Sequence, residues 1–383
     1  MRRISIFGAT GSVGANGVDL IRRDPDAYHT VALTGGRNIA RLAQMARDLR
    51  AEIAVTAHED ALDDLRAALA GSGVEAAAGP RALIEAAARP ADWILSAIVG
   101  SAGLAPGLTG LAQGGVLALA NKESLVCAGA LLRGTAAASG ATILPVDSEH
   151  SALFQAIGAD KLDSVKDVTI TASGGAFRDW PLERLAAATV AEASTHPNWA
   201  MGQRITIDSA SMFNKAMEVI EAKEFFGLDA ARIKVLVHPE SIIHAMVTHH
   251  DGGTIAHLGA PDMRHAIGYA LHWPARRPLP VAALDLAAIG GLTFRAPDEI
   301  RWPALRLARE VMAAGGAAGA VFNAAKEQAL DDFIAGRIRF TDMAPRVEAT
   351  LEALSAEEGF ARDPQDLPTV LDWDALARRK AAR

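Results

Sequence analysis

Two acidic residues, Asp147 and Glu149, are separated by one residue and follow an apolar stretch with the length of a β-strand. On an extended chain such residues project to the same side, so the two carboxylates can bind one hard cation such as Mg²⁺. The alternative is structural, with Asp147 or Ser148 capping a helix and Glu149 in its first turn. A metal site at this position requires a third carboxylate from elsewhere in the chain.

Glu218 is the candidate for that third carboxylate, and it follows Asn214 and Lys215 at the start of an amphipathic segment. Together with the Ser209 hydroxyl, the amide and ammonium groups can donate hydrogen bonds to a phosphate near a helix start. The alternative for Glu218, and for the glutamates three and six positions further on, is a solvated helix face that pairs with Lys223. The segment is predicted to bind a phosphorylated substrate beside a metal ion.

Three further positions have residue types that suit ligand binding. The segment from His196 to Gln203 is aromatic, amphipathic and interrupted by Pro and Gly, which is typical of a loop that closes over a ligand, although a rigid surface loop would read the same. Ser173 begins a Ser-Gly-Gly turn after a strand-like run, and this turn can approach a phosphate or simply reverse the chain. Lys122 follows another apolar strand, where open α/β sheets bind ligands.

A glycine-rich loop, GATGSVG, runs from Gly8 to Gly14 between the first apolar strand and the start of a helix. Its backbone N–H groups and the helix dipole favour an anion, so the loop is predicted to bind a dinucleotide pyrophosphate, with a plain tight turn as the alternative. At the end of the second strand, Arg37 and Asn38 occupy the place where NAD sites have Asp or Glu. This favours NADP over NAD, unless Arg37 is simply an exposed side chain.

These residues are positioned by elements that the hydrophobic pattern predicts. Up to about Pro145, strand-sized apolar runs alternate with helical stretches, which indicates a parallel sheet with crossover helices. A mixed α+β region with a hairpin turning at Asp251-Gly252 follows, then a Pro- and Arg-rich connector, then several helical segments. Strands are predicted at 4–7, 30–34, 52–56, 93–99, 116–120, 141–146, 242–247 and 254–258.

The predicted fold class is α/β, with an N-terminal Rossmann-like parallel sheet, an α+β catalytic domain and a small C-terminal helical domain. The predicted domain limits are 1–146 for the NADPH-binding domain, 147–273 for the metal- and substrate-binding domain with a flexible lid at about 194–204, 274–302 for a connector and 303–383 for the helical domain.

Composition excludes several classes of function. The 383-residue chain is half apolar and has a formal charge of −7 without a long basic run, which argues against nucleic acid or an anionic membrane as the partner. Its single cysteine, Cys127, excludes an internal disulfide framework, and no signal peptide precedes the first strand, so the cytoplasm is predicted. Cys127 has no evident base partner and is interpreted as a small buried hydrophobe. The uncharged stretch from Trp93 to Asn121 is broken by glycines and is predicted to be strand, loop, helix and strand rather than a membrane span.

Ten segments, in order along most of the chain, resemble the 1-deoxy-D-xylulose 5-phosphate reductoisomerase family: GATGSVG, GRN, ANKESLV, PVDSEH, TASGGAF, HPNWAMG, DSASMFNKAME, VHPESIIH, LGAPDMR and IRFTD. The resemblance implies a homodimeric enzyme of non-mevalonate isoprenoid biosynthesis that uses NADPH and Mg²⁺ or Mn²⁺, with Co²⁺ as a further candidate. The implied reaction rearranges 1-deoxy-D-xylulose 5-phosphate by retro-aldol and aldol steps and reduces the branched aldehyde to 2-C-methyl-D-erythritol 4-phosphate.

The resemblance also implies a role for individual residues. The implied metal ligands are Asp147, Glu149 and Glu218, which form the catalytic set with Lys122. The implied substrate-binding residues are Lys122, Ser148, Glu149, Ser173, His196, Trp199, Ser209, Asn214, Lys215 and Glu218. The implied cofactor-binding residues are Thr10, Gly11, Ser12, Val13, Gly36, Arg37, Asn38, Asn121, Glu123, Gly202 and Met263.

Some positions depart from the family pattern, and two other functions stay open. Ala216 stands where Gly is commoner, and the sequence also differs from the usual pattern at Arg37, Gln203-Arg204 and His265-Ala266. A Rossmann dehydrogenase of another class, such as a semialdehyde dehydrogenase, would need a catalytic cysteine, for which Cys127 is the candidate. An NADPH-binding sensor without catalytic activity would have no need for three metal-binding carboxylates.

Overall fold

A computed structural model describes residues 1–158, 162–199 and 201–382. Ala200 of the predicted lid lies outside the described residues, as do residues 159–161 of the predicted catalytic domain and Arg383 of the predicted helical domain. The strands are β1 Arg2–Phe7, β2 Tyr28–Gly35, β3 Ile53–Thr56, β4 Glu75–Ala78, β5 Trp93–Ser96, β6 Val116–Leu119, β7 Thr142–Pro145, β8 Val165–Ala172, β9 Ile233–Val237, β10 Ile243–His249 and β11 Thr254–Leu258.

The α-helices are α1 Ser12–Arg22, α2 Ile39–Asp48, α3 Leu62–Leu69, α4 Gly79–Ala87, α5 Leu104–Leu111, α6 Lys122–Ser139, α7 Ser148–Ile157, α8 Val190–Ala193, α9 Gln203–Ala210, α10 Phe213–Phe226, α11 Arg264–His272, α12 Leu286–Ile289, α13 Ala304–Ala314, α14 Ala318–Ile334, α15 Met343–Leu354 and α16 Leu367–Ala381. Short 3₁₀ turns lie at Glu59–Ala61, Ser101–Gly103, Leu162–Ser164, Leu182–Ala187, Ala230–Arg232 and Phe340–Asp342. Among the described residues, no helix is both long and apolar enough to cross a membrane.

The first sheet has seven parallel strands in the order β4-β3-β2-β1-β5-β6-β7. Parallel strands are covered on both faces, which is why their sequences are almost continuously apolar. Ile4 and Ile6 of β1 are fully buried, and burying each such side chain stabilises the fold by about 1.5–3 kcal/mol. The predicted Rossmann-like parallel sheet is confirmed.

The strand order changes direction at β1, since β2 to β4 extend to one side of it and β5 to β7 to the other. Open α/β sheets bind ligands at such a switch point, outside the carboxyl ends of the strands. The glycine-rich loop that begins at Gly8 follows β1, so it lies at this switch point. The fold therefore places the loop where a cofactor is expected.

The second sheet has four strands in the order β11-β10-β8-β9. The predicted hairpin is confirmed, because β10 and β11 pair antiparallel with Val247 opposite Ile255. The turn between them includes Gly252, whose φ of +90° is a conformation that glycine adopts without strain. On the other side, β8 pairs antiparallel with β10 and parallel with β9.

The C-terminal part is helical, as predicted. α14 packs against α15 and α16, and α10 packs against α13 and α14. A small apolar cluster in this region contains Met212, Trp302 and Leu305. Between Pro274 and Pro303 the chain contains the short helix α12 and a β-bridge from Arg295 to Val237 at the end of β9.

The described residues form two compact units, each assembled from separate stretches of the chain. Unit 1 contains residues 1–124, 132–151 and 262–281, and unit 2 contains residues 125–131, 152–261 and 282–383. α11 belongs to unit 1, where it packs against α1, β6 and β7. The domain limits predicted from the sequence stay a prediction.

Candidate active site

In unit 1, the carboxyl ends of β6 and β7 bring Lys122 and Asp147 together. The two strands are parallel neighbours, so the residues that follow them emerge at the same edge of the sheet. The Lys122 ammonium donates to Oδ2 of Asp147 at 2.8 Å, and about nine-tenths of each side chain is buried. Burial of this pair fixes a positive and a negative group beside each other at the sheet edge.

The second oxygen of Asp147 organises the start of α7. Oδ1 accepts the backbone N–H of Glu149 at 3.1 Å and lies 3.1 Å from Nδ1 of the fully buried His150. The Ser148 hydroxyl donates to the Glu149 carboxylate. Carboxylate oxygens of Asp147 and Glu149 lie within 4.8 Å of each other.

The expectation that an extended chain aligns Asp147 with Glu149 is wrong, because α7 already begins at Ser148. The helix-cap alternative describes the backbone correctly, since Asp147 accepts an N–H of the first turn. The role of Asp147 as a helix cap is compatible with a role as a metal ligand. The turn that caps the helix also brings both carboxylates to one place.

The glycine-rich loop is closely packed, which explains its glycines. Gly8 has a φ of +87°, and a Cβ on it would lie 2.5 Å from the carbonyl oxygen of Ala97. A Cβ on Gly14 would lie 2.2 Å from the carbonyl oxygen of Gly8. α1 begins directly after Gly11, which has an extended backbone and no side-chain capping bond. Gly11 therefore leaves the N–H groups of the first turn of α1 without a side-chain cap from its position, and the N-terminus of a helix favours an anion.

The residues after β2 also have defined contacts. The Asn38 side chain accepts the N–H of Arg41 and caps α2, and Arg37 donates to Asp60 at 2.9 Å. The hydrogen bond from Arg37 holds the pKa of Asp60 below its usual range. Both members of this pair are about two-thirds exposed. The sequence does not identify Asp60 as the partner of Arg37, because Asp60 lies 23 residues further along the chain, after the next strand.

The Asn121 side chain is held by hydrogen bonds to three other residues that its place in the sequence does not predict. Its carboxamide oxygen accepts the N–H of Ser124 at 2.9 Å, and its amide group donates to the carbonyl oxygens of Ile98 and Gly100. It caps α6 and also fixes the loop after β5. Met263 immediately precedes α11, which packs on β6 and β7 of the same unit.

In unit 2, Ser173 and His196 form a polar contact at the end of β8. Nδ1 of His196 accepts the backbone N–H groups of Asn198 at 3.1 Å and Trp199 at 2.9 Å. Nδ1 therefore carries no proton, and Nε2 of the neutral ring donates to the Ser173 hydroxyl at 2.9 Å. Burial, assisted by the charge of Arg178, lowers the pKa of His196 to about 4. The predicted lid is thus attached at one end by a neutral histidine.

The low pKa of His196 predicts that the stability of the folded protein depends on pH. Because the pKa of His196 is about 4 in the folded protein and 6.5 ordinarily, the unfolded chain binds the proton more readily between these values. The contribution of His196 to stability is therefore complete above pH 6.5 and is lost as the pH falls towards 4. We expect the melting temperature of the wild type to fall more steeply over this range than that of His196→Gln, and parallel curves would contradict this prediction.

Glu218 lies at the centre of a second polar group on α10. Asn214 donates to one of its carboxylate oxygens at 2.6 Å, and the Lys215 ammonium donates to the other at 2.5 Å. Glu218 is 1% exposed and Lys215 is 3% exposed. Glu221 is equally buried, so the alternative of a solvated helix face is wrong for both glutamates.

The turn that contains Ser173 packs directly against the end of α9. A Cβ on Gly175, which has a φ of +64°, would lie 2.6 Å from the carbonyl oxygen of Ser209 and from Cα of Ala210. Ser173 and Ser209, two residues predicted to bind substrate, therefore lie on a turn and a helix end that pack against each other. Gly202, the remaining predicted residue of this region, immediately precedes α9.

Three sequence profiles of one family match the chain. The profile for 1-deoxy-D-xylulose 5-phosphate reductoisomerase matches residues 4–129, and two profiles for C-terminal domains of the same enzyme match residues 143–226 and 258–380. The 1-deoxy-D-xylulose 5-phosphate reductoisomerase of Paracoccus denitrificans is 74% identical over all of this chain and 99% of its own length. This chain belongs to the 1-deoxy-D-xylulose 5-phosphate reductoisomerase family.

Other members of the reductoisomerase family agree in sequence and structure. The enzyme of Ruegeria pomeroyi is 69% identical over 99% of this chain and 96% of its own length. The Zymomonas mobilis enzyme, solved in complex with NADPH, has a TM-score of 0.93 and 45% identity, covering 100% of this chain and 98% of that one. A reductoisomerase solved with NADPH, fosmidomycin and magnesium has a TM-score of 0.94 and 38% identity, covering 100% and 97%.

Proposed function

We propose that this chain catalyses the NADPH- and divalent-metal-dependent isomerisation and reduction of 1-deoxy-D-xylulose 5-phosphate to 2-C-methyl-D-erythritol 4-phosphate, a step of non-mevalonate isoprenoid biosynthesis. The observation that carries the proposal is the 74% identity to a reductoisomerase over the whole chain. The buried polar groups around Asp147 and Glu218 support it, because a protein that only bound NADPH would gain nothing from burying these charges.

Asp147, Glu149 and Glu218 are the proposed ligands of Mg²⁺ or Mn²⁺, with Co²⁺ as a further candidate. Hard cations prefer carboxylate oxygens, and Asp147 already presents one oxygen within 4.8 Å of an oxygen of Glu149. Glu218 is a buried carboxylate oriented by Asn214 and Lys215. A cation held there would stabilise negative charge on the substrate oxygens during the carbon–carbon rearrangement.

The remaining polar side chains are proposed to bind and orient the substrate. Asn214 and Lys215 precede Glu218 on α10, so they can bind an anionic group close to the proposed metal. Trp199 is proposed to cover the bound substrate and exclude water. The full proposed set is Lys122, Ser148, Glu149, Ser173, His196, Trp199, Ser209, Asn214, Lys215 and Glu218, in which Lys122, Asp147, Glu149 and Glu218 form the catalytic set.

NADPH is the proposed cofactor, and it would supply the hydride for the reduction. The tight Gly8–Gly14 loop and the N-terminus of α1 suit its pyrophosphate. Arg37 is held by an exposed ion pair, which is weak, so the guanidinium can exchange Asp60 for a 2′-phosphate. The proposed cofactor-binding residues are Thr10, Gly11, Ser12, Val13, Gly36, Arg37, Asn38, Asn121, Glu123, Gly202 and Met263.

A homodimer is proposed from the second sheet, in which β11 is an edge strand. Ile255 and Leu258 on this strand are 45% and 37% exposed, and an exposed apolar edge can pair with another chain. A monomer in light scattering at working concentration would refute this proposal. A cytoplasmic location is proposed from the single cysteine alone, and cell fractionation tests it.

The test of the function is an absorbance assay of NADPH oxidation with 1-deoxy-D-xylulose 5-phosphate and Mg²⁺ or Mn²⁺. We expect turnover that stops when a chelator removes the cation, returns when the cation is restored, and is much slower with NADH. Cys127→Ser should turn over almost normally. If the folded protein binds NADPH but leaves it unoxidised, or if Cys127→Ser alone abolishes turnover, the proposal fails.

A further inference from the structure

The C-terminal end of α9 carries Ser209, and three contacts within unit 2 hold this end in place. The Gly175 backbone packs against it so closely that a Cβ would not fit. The Trp302 indole donates to the carbonyl oxygen of Ala210 at 3.2 Å. The third contact is an ion pair, in which Lys326 of α14 donates to Oδ2 of Asp208 at 3.0 Å.

The Lys326–Asp208 pair joins residues that are 118 positions apart, and both are nearly inaccessible to solvent. The side chains are 5% and 10% exposed. Within the described part of the chain, Oδ1 of Asp208 has no hydrogen-bond partner, so the Lys326 ammonium is the charge that Asp208 faces. A buried carboxylate that loses its cation is strongly unfavourable, so the pair strictly limits where α9 can lie.

Lys326 is held on a rigid support. α14 packs against α15 and α16, and its Glu327 accepts a hydrogen bond from Arg378 of α16 at 2.5 Å. Arg378 also donates to Asp374 on its own helix at 2.6 Å. These contacts fix the part of α14 from which the Lys326 side chain extends to Asp208.

We propose that Lys326 is a positioning residue for the substrate: through Asp208, it fixes Ser209 and the adjoining turn into α10 at the location required to bind the substrate phosphate. The proposal rests on the function proposed above and extends it to the C-terminal helices. Its physical basis is that Asp208 and Ser209 are consecutive residues of one helix. A movement of the Asp208 backbone therefore moves Ser209 as well.

A matched control exists in the same pair of helices. Arg204 of α9 also pairs with Asp331 of α14, but both side chains are more than 40% exposed. Exposed ion pairs contribute little to structure, so Asp331→Asn should change neither the position of α9 nor the binding of substrate. Comparison of the two pairs distinguishes the effect of a buried ion pair from the effect of any ion pair that links α9 to α14.

The test measures the KM of the full-length enzyme for 1-deoxy-D-xylulose 5-phosphate and its dissociation constant for NADPH. Because a lost hydrogen bond to a charged group weakens binding by about tenfold or more, we expect Lys326→Met to raise KM by at least about tenfold with little change in NADPH binding. Lys326→Arg should recover part of the loss, and Asp331→Asn should behave as the wild type.

The double variant Lys326→Met/Asp208→Asn keeps the test decisive if Lys326→Met does not fold, because it removes both charges of the Lys326–Asp208 pair. We expect it to fold and to keep the raised KM. A wild-type KM in either variant would overturn the proposal, as would an equal weakening of NADPH binding. Failure of the proposed function would look different, because the wild-type enzyme itself would then be inactive.

Discussion

Replacing Glu218 by Gln should lower kcat on the order of 1,000-fold while NADPH binding stays near normal. The change removes one negative charge from the proposed metal site and keeps the shape of the side chain. In the structure, this carboxylate accepts from both Asn214 and Lys215, so it is already oriented for a cation. The measurement combines steady-state kinetics with titration of NADPH fluorescence.

Glu224→Gln is the matched control for this variant, since Glu224 lies further along α10 and is less buried. We expect it to retain kcat within a few-fold. Excess Mn²⁺ should restore little activity to Glu218→Gln, because the missing ligand is the carboxylate itself. Equal loss of kcat and of NADPH affinity would contradict a metal-binding role and would indicate general disruption.

Gly14→Ala should weaken NADPH binding on the order of 100-fold, because a displaced loop no longer aligns its N–H groups with the pyrophosphate. The new Cβ would lie 2.2 Å from the carbonyl oxygen of Gly8. The Gly8 oxygen is a backbone atom, and the position of a Cβ is fixed by its own backbone, so the loop or the start of α1 has to move. The dissociation constant for NADPH is the quantity to measure, with circular dichroism as a check of the fold.

Gly134→Ala provides the comparison for this second change. Gly134 lies in α6, and among the described residues nothing beyond its chain neighbours and the backbone of its own helix lies within 4 Å of a Cβ placed there. Alanine is favoured over glycine in helices by about 1 kcal/mol, so this variant should bind NADPH normally and melt at the same or a higher temperature. If Gly14→Ala also bound NADPH normally, the proposed cofactor loop would be wrong.

The sequence predicted most strands of the two sheets because buried strands carry continuous apolar runs with clear ends. It missed β9, Ile233–Val237, and β4, Glu75–Ala78, which has one charged residue and three alanines and lies at the edge of the first sheet. Such a strand has little apolar surface, and its place is determined by pairing with β3. Pairing of this kind depends on tertiary structure that local sequence does not contain.

The candidate site was predictable to the extent that its residues lie in local motifs. The capping geometry of Asp147 follows from the residues beside it, whereas the burial of Glu221 depends on how α10 packs. The contact between Asp208 and Lys326 joins distant segments, and each residue alone resembles an ordinary surface charge. The hydrogen bonds at Nδ1 of His196 likewise depend on the folded path of the loop.

The return of α11 to the first sheet has a consequence for the order in which the protein can fold during synthesis. The indole of Trp93 in β5 donates to the carbonyl oxygen of Ala270, and Arg2 at the start of β1 donates to that of Leu271. A ribosome completes the seven strands more than a hundred residues before it reaches this helix. Part of one face of the nascent sheet therefore stays uncovered until α11 has been synthesised. That interval is when a chaperone would protect it best.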